Sequence, residues 1–244
     1  MATSSRALLL LVAPALLVIG LVAVYPVGRT LALSLFATDY GFAGARFVGL
    51  ANYVDLLGDR SFRRAIVNTV SFTLAATAGE LLLGLAFALL FQHRFPGRRL
   101  LVPAMVVPFV LSTMVVCALW RSWFHFDFGF LNNVLRGLGL PGVPWLFDPD
   151  LALASIVLVD IWQTTPLVFL ILLAGLQSIP EPVREAARLD AAGRWRLFVD
   201  IELPFLWRYL MLAALLRTIE SFKLFDKVFA LTGKINNTGL VEVP

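Results

Sequence analysis

Ionisable side chains lie inside several of the longest apolar runs of this sequence. Glu80 and Asp160 each interrupt such a run. Burying a charge in lipid costs at least about 2.5–3.5 kcal/mol, so residues of this kind are candidates for a function. Further charges recur at intervals of three or four residues, which would place them on one helix face where opposite charges can pair. These charges are Arg217, Glu220, Lys223 and Asp226.

Two interpretations of these charges stay open. In the first, they form ion pairs inside a helix bundle, for example between Arg217 and either Glu80 or Asp160. In the second, they line a polar cavity, which is favoured for the face as a whole because a polar face is not stable against lipid. The hydroxyl groups of a sugar would need such donors and acceptors. Trp162 and Phe222 are the aromatic residues that could stack on a sugar ring.

The residues that could catalyse a reaction form no recognised pattern. An intramembrane enzyme would have to use Glu80, Asp160 or His125, and their spacing does not reveal the acid–base geometry that this requires. His93 and His125 have no ligand-like spacing, and the single cysteine, Cys117, excludes an intrachain disulfide and argues against a metal cluster. No phosphate-binding loop or hydrolase motif is present. We therefore expect no catalytic residue and no metal ligand on this chain.

The composition indicates an integral membrane protein. The chain has 244 residues, of which 59% are hydrophobic and only 15% are charged. Soluble domains contain about 45–50% apolar and about 25% charged residues. The net charge of +4 comes mostly from arginine, and basic residues that flank membrane spans explain it better than nucleic-acid binding does.

Five apolar segments predict an all-α membrane domain that covers residues 1–244. A helix rises about 1.5 Å per residue, so about 20 residues cross a hydrocarbon core of about 30 Å. The fifth segment is the least apolar, because its second half carries the charges named above. A polar loop with short helical pieces is expected at 37–62, and a second connection, polar and aromatic, occupies 121–150. The five predicted spans are 7–35, 64–91, 100–120, 151–178 and 209–231.

The arginine distribution predicts that the N-terminus is cytoplasmic. With that orientation, the loops 93–99 and 179–207 face the cytoplasm, and both are short and rich in arginine. Cytoplasmic loops carry an excess of basic residues, and the rule has most force for short loops. Five spans would then place the C-terminus outside.

A dense charged insert separates the last two predicted spans. It contains the sequence EAARLDAAGRW, and its acidic start, its glycine and its closing Pro204 predict two short helices joined by a tight turn. Ala186 and Ala187 give the first helix a face of small side chains, which would fit closely into a cleft of another protein. From the residues alone, an amphipathic helix lying on the bilayer surface is an equal alternative.

This insert resembles the EAA loop of binding-protein-dependent ABC importer permeases. The matching positions are Glu185, Ala186, Ala187, Asp190, Ala192, Trp195, Phe198, Ile201, Leu203 and Pro204. The segment 47–73 is similar to the one before the second span in the MalF-like carbohydrate-uptake subfamily. The segment 215–233 is similar to that subfamily's fifth core span.

The resemblance implies the type I ABC importer permease fold and a sugar or sugar-like solute imported by alternating access. It also implies a bacterial cell membrane location. The implied partners are a second, homologous permease subunit, a pair of ATPase subunits and an extracytoplasmic solute-binding protein. ATP and Mg²⁺ would be bound by the ATPase, and this chain would hold no cofactor and catalyse no reaction.

The resemblance also implies roles for individual residues. The loop would be the coupling helix that docks on the ATPase, with the residues Glu185, Ala186, Ala187, Asp190, Gly193, Trp195, Phe198 and Pro204. The spans on either side of the loop would line the solute pathway. Together with the intramembrane charges and aromatic residues, this gives Asp160, Trp162, Gln163, Thr164, Arg217, Glu220, Ser221 and Phe222.

The sequence departs from the family pattern in two places. Ala191 stands where the motif usually has glycine. A polar stretch from 233 replaces the family's glycine- and proline-rich outer loop, and the sixth core span that family members have is expected to be missing. Three functions are therefore weighed: an importer permease, a shortened permease subunit that is non-transporting or vestigial, and an intramembrane enzyme. The importer permease is the leading prediction.

Overall fold

The computed structural model describes residues 5–37, 46–93, 95–183, 185 and 193–233. Its contacts divide the chain into two compact units, Met1–Arg63 and Arg64–Pro244, whereas the sequence predicts one domain. The division falls at the end of the polar connection 37–62.

The first unit begins with a long apolar helical segment. Within it, Leu11–Leu33 is long and apolar enough to cross a membrane, as the first predicted span requires. A π-helical turn interrupts the segment just before Pro26, and such turns accommodate a proline that cannot donate a backbone hydrogen bond. The helical pieces are α1 (Ser5–Ile19), the π turn (Gly20–Val24) and α2 (Tyr25–Leu33).

A small strand pair follows, which the sequence does not predict. Strands β1 (Phe36–Ala37) and β2 (Arg46–Phe47) are antiparallel, and the rings of Phe36 and Phe47 meet edge-on at 5.3 Å between centroids. A short helix, α3 (Ala51–Gly58), comes next, which agrees with the expected helical pieces. Two residues per strand are too few for an alternating pattern to be visible in the sequence.

Helices make up the second unit, and the first of them begins shortly before the boundary at Arg64. In the described part of the chain they are α4 (Arg60–Phe91), α5 (Arg98–Val110), α6 (Thr113–Trp123), α7 (Phe130–Gly137), α8 (Pro149–Gln177), α9 (Arg194–Leu197), α10 (Leu203–Ser221) and α11 (Phe225–Thr232). Helix α8 is central and packs against α5, α6, α10 and α11. Buried apolar side chains form two clusters along it, one around Ile156 and one around Leu172.

Glycines allow two close helix contacts with α8. A Cβ added at Gly84 of α4 would lie 2.6 Å from a methyl carbon of Val168. A Cβ added at Gly175 would lie 2.7 Å from the ring of Tyr209 on α10. Small residues at such positions let membrane helices approach closely enough for extensive van der Waals contact.

The third predicted span, 100–120, is broken in the structure. Helices α5 and α6 meet at an angle of 95°, and the backbone is extended at Leu111 and Ser112. Pro108 lies in the last turn of α5 and cannot donate a backbone hydrogen bond, which weakens the helix there. The side-chain amide of Gln163 donates to the carbonyl of Leu111 at 3.3 Å, so this irregular backbone keeps a hydrogen-bond partner.

The fifth predicted span, 209–231, also differs. Helical structure runs from Arg194 through a π turn (Phe198–Glu202) into α10, so Pro204 lies in the first turn of α10 rather than ending a separate helix. After Ser221 the helix breaks, and α11 begins at Phe225. In the described part of the chain, three helices are long and apolar enough to span a membrane, or four if the bent pair counts as one. Helix α10 is outside that set, because charges interrupt it.

Candidate functional site

Four ionisable side chains meet in the interior of the second unit. Arg217 of α10 faces Glu80 of α4, with Nε 2.5 Å from Oε2 and Nη2 2.9 Å from Oε1. Nη2 of Arg217 also donates to Oδ2 of Asp160 on α8 at 3.0 Å. Lys227 of α11 is ion-paired with the other carboxylate oxygen of Asp160. The network therefore joins four helices, and Asp160 bridges its two cations.

Two hydroxyl groups complete the network. The Thr164 hydroxyl lies 2.5 Å from Oε1 of Glu80 and 2.6 Å from the carbonyl oxygen of Asp160, so it can donate to either acceptor. The Ser221 hydroxyl accepts from Nη2 of Arg217 at 3.5 Å. These contacts satisfy polar groups that would otherwise be buried without a partner.

Burial makes the charge balance of the network important. Relative exposure is 0% for Glu80, 3% for Asp160, 4% for Arg217 and 9% for Lys227. Two carboxylates face two cations, so the network is formally neutral, which is the arrangement in which buried charges are tolerated. It lies between the two apolar clusters along α8, close to the middle of that helix. The first interpretation, ion pairing of Arg217 with Glu80 and Asp160, thus holds in the geometry.

A polar cavity of about 650 Å³ borders the network. It lies where the break between α5 and α6 faces α8, α10 and α11. Six of the predicted pathway residues line it: Asp160, Gln163, Thr164, Arg217, Glu220 and Ser221. The two interpretations of the charges therefore describe one place, because the ion pairs form part of the cavity wall.

The predicted charged face follows a broken helix. Arg217 is buried, whereas Glu220 and Lys223 are exposed and pair with each other at 3.3 Å. All of them, together with Asp226, line the cavity. The break after Ser221 turns α11 so that Lys227 also reaches it. Lys227 is not among the predicted site residues, although a charge within the apolar run of α11 is the same signal that marks Glu80.

The two predicted aromatic residues lie outside this cavity. Trp162 packs edge-on against Trp120, with ring centroids 5.6 Å apart, and lines a separate apolar groove. Phe222 is 56% exposed and borders a small apolar pocket between α4 and α10. They therefore do not line the polar cavity, and their role in the solute pathway stays a prediction. The aromatic side chain that lines the cavity is Phe109.

The predicted coupling loop is described in part. Glu185 is helical and exposed, Gly193 and Pro204 are exposed, and Phe198 is half-buried. Trp195 is 75% exposed, with its ring 6.0 Å from that of Phe198. Ala186, Ala187, Asp190 and the unusual Ala191 lie outside the described residues.

Both ends of the loop are anchored in the helix bundle. Ile179 at its start and Leu206 near its end belong to the apolar cluster around Leu172. The hydroxyl of Tyr209 on α10 donates to Ser178 at the end of α8, at 3.2 Å. The described ends of the loop thus pack on the two helices that carry Asp160 and Arg217.

Metal-binding and catalytic arrangements are not evident in the described part of the chain. No group of three His, Cys, Asp or Glu side chains there could hold a metal ion. His125 stacks on Phe128, with ring centroids 3.4 Å apart, and does not line the polar cavity.

Comparison with known proteins identifies the family. Residues 80–237 match the family described as "Binding-protein-dependent transport system inner membrane component". The chain is 37% identical over 224 residues to the trehalose/maltose transport system permease protein MalF of Thermococcus litoralis, covering 92% of this chain and 76% of that protein. It is 34% identical over 239 residues to the trehalose transport system permease protein SugA of Mycobacterium tuberculosis, covering 98% and 76%.

Solved structures support the same fold. The crystal structure of a bacterial alginate ABC transporter in complex with an alginate pentasaccharide-bound periplasmic protein contains a chain that superposes with a TM-score of 0.81. That chain is 20% identical, and the match covers 96% of this chain and 78% of that one. A second alginate importer structure gives a TM-score of 0.79 at 21% identity.

These matches decide the class of protein. The predicted membrane permease fold is confirmed by the structural neighbours. The relatives are named as transport permeases, which confirms a transport subunit and excludes the intramembrane enzyme. Because the family match covers more than half of the chain, this protein belongs to the binding-protein-dependent transport system inner membrane components, the permeases of ABC importers, and within them to the MalF-like group.

Proposed function

We propose that this chain is the transmembrane subunit of an importer that carries a sugar or sugar-like solute through the polar cavity beside Asp160 and Arg217. The observation that carries the proposal is the cavity itself, which lies at mid-helix in the bundle and is lined by donors and acceptors. Its volume of about 650 Å³ lies within the usual range for small-molecule sites, about 300–1,000 Å³.

The cavity wall suits an uncharged solute with many hydroxyl groups. Three acidic side chains, Asp160, Glu220 and Asp226, are matched by three basic ones, Arg217, Lys223 and Lys227. A wall without net charge gives no preference for an ion, while each side chain can donate to or accept from a hydroxyl group. Named sugar permeases among the relatives, for trehalose and maltose, support the same class of solute.

The energy for transport would come from a partner ATPase that binds ATP and Mg²⁺. In this proposal the loop 179–207 docks on that ATPase through Glu185 and the exposed Trp195. Docking would move α8 and α10 together, because Gly175 and Tyr209 hold them in contact. Since α8 carries Asp160 and α10 carries Arg217, a movement of the loop would reach the cavity wall and alternate its access between the two sides.

The full assembly would contain a second, homologous permease, two ATPase subunits and an extracytoplasmic solute-binding protein. It would lie in the bacterial cell membrane, with the N-terminus of this chain in the cytoplasm. The family description names a binding protein, and the alginate transporter was crystallised with its periplasmic protein. Both facts support this set of partners.

Uptake of labelled disaccharides into vesicles that contain the chain and all its partners tests the proposal. We expect ATP-dependent uptake, and we expect Gln163→Leu to raise the KM for the solute at least tenfold, because Gln163 lines the cavity. The matched control is Gln177→Leu, on the same helix but exposed. An intact complex that imports none of the sugars would contradict the proposal and favour a non-transporting subunit.

A further inference from the structure

An apolar groove runs along α5 between α4 and α8, separate from the polar cavity. Its volume is about 650 Å³. Phe87 of α4 and Ile161 of α8 contribute to its walls. The residues that α5 contributes recur every three or four positions and therefore form one continuous helix face. They include Leu101, Ala104, Met105 and Pro108.

One end of the groove is basic. Arg98 lies one turn before Leu101 on the same face of α5, and Arg99 beside it is exposed. Nε of Arg98 is buried without a hydrogen-bond partner, and no acidic residue in the described part of the chain forms an ion pair with either arginine.

The length of the groove matches one leaflet of a bilayer. From Arg98 to Pro108 the helix rises about 15 Å, at about 1.5 Å per residue. That is half of a hydrocarbon core of about 30 Å. Beyond Pro108 the chain turns by 95° into α6. A helix that crosses the whole bilayer would extend far past the groove, whereas an acyl chain ends within one leaflet.

We propose that this groove binds one anionic phospholipid, with an acyl chain along α5 and its phosphate at Arg98 and Arg99. The surroundings of an acyl chain are as apolar in the bilayer as in the groove. Binding in the groove therefore gains little free energy from the acyl chain, and the groove contributes mainly a matching shape. The preference for this lipid over a zwitterionic one therefore rests on the two arginines, and basic pockets between membrane helices bind anionic headgroups in this way.

Native mass spectrometry of the full chain tests the headgroup. The chain is released from bilayers of equal phosphatidylglycerol and phosphatidylcholine, and the ratio of the two lipids retained is measured. We expect the wild type to retain phosphatidylglycerol preferentially. Replacing both arginines (Arg98→Gln with Arg99→Gln) should lower the ratio about 25-fold, at about fivefold per charge. Arg98→Lys should keep the preference, and Arg121→Gln, at the end of α6, is the matched control.

Equal retention of the two lipids by the wild type would overturn the proposal, as would an unchanged ratio in the double variant. A photo-cross-linker at Leu101 then identifies the occupant of the groove in the complex with the partner subunits. A cross-link to phospholipid supports the proposal. A cross-link to a helix of a partner permease overturns it, and neither result depends on whether sugar is transported.

Discussion

Asp160 is the carboxylate that holds both cations of the buried network. It contacts Arg217 and Lys227 at once, whereas Glu80 contacts a single cation, Arg217, among the described residues. Removing one partner of a buried ion pair costs about 3–5 kcal/mol, because the remaining charge is left buried. Removing both partners costs much less. The exposed pair Glu220–Lys223 provides the contrast, since exposed pairs contribute about 0–1 kcal/mol.

We predict that Asp160→Asn lowers the stability of the chain by about 3–5 kcal/mol, because Lys227 loses its ion-pair partner. Thermal unfolding in detergent measures the change. The double variant Asp160→Asn with Lys227→Met should recover more than half of the loss, since no unpaired lysine remains. Glu220→Gln is the control and should change little. A double variant as unstable as the single one would show that the pair does not explain the effect.

The side chain of Asn132 orders a whole segment of the chain. It is fully buried in the connection 121–150, where its amide donates to the carbonyls of Phe126 and Val143 at 3.1 and 3.0 Å. Its carbonyl oxygen accepts from the backbone N–H of Val143 and from the indole of Trp145 at 2.9 and 3.1 Å. The segment is therefore an ordered structure despite its glycines and prolines.

We predict that Asn132→Ala loosens this connection, because each buried group left without a partner costs about 1–3 kcal/mol. Limited proteolysis should show faster cleavage within 121–150. Thermal unfolding should show a lower melting temperature. The neighbouring Asn133→Ala is a matched control, since Asn133 is exposed and makes one contact, with the carbonyl of Phe128. Equal cleavage of the two variants would rule out the role of Asn132.

At the scale of elements, the proposed mechanism requires the contact between α8 and α10 to carry movement from the loop to the network. It depends on the absence of a side chain at Gly175, which lets Leu206 and Tyr209 pack against α8. A π turn precedes both Pro26 and Pro204. In each case the wider turn lets the helix continue through the proline.

We predict that Gly175→Ala separates α8 from α10 and lowers both stability and the ratio of solute imported to ATP hydrolysed. The added Cβ would lie 2.7 Å from the ring of Tyr209. Adding Tyr209→Leu should restore part of the loss by making room. Gly137→Ala is the matched control, because a Cβ there meets nothing within 4 Å. Unchanged coupling in Gly175→Ala would exclude this contact as the route of coupling.

At the scale of the whole molecule, the exposed surface of the chain is largely apolar along its helices. Apolar side chains remain exposed along the described helices, for example Leu74 at 66% and Leu215 at 59%. Lipid or a second permease would cover such surfaces, since large exposed apolar areas mark membrane or protein contacts. The loop 179–207 differs from these apolar surfaces, because its sequence is rich in charged residues, which suits a position in water outside the bilayer.

We predict that Glu185→Ala reduces the amount of ATPase that copurifies with the chain in mild detergent by at least fivefold. Glu185 is exposed, so the stability of the chain itself should not change. The ratio of the two proteins after purification is the measurement, and Glu220→Ala, an exposed carboxylate outside the loop, is the control. Normal copurification together with normal uptake would remove Glu185 from the coupling residues.

The sequence by itself determined the membrane class, the family and the candidates Glu80, Asp160 and Arg217. Long apolar runs and charges within them are properties of neighbouring residues, so they can be seen without a fold. Only the tertiary structure decided that these charges form one neutral network with Lys227. It also broke the third and fifth spans, and it placed Trp162 and Phe222 away from the polar cavity. Such outcomes depend on helix breaks and on residues far apart in sequence. Side chains on four helices can form ion pairs and hydrogen bonds with each other only after the helices have packed.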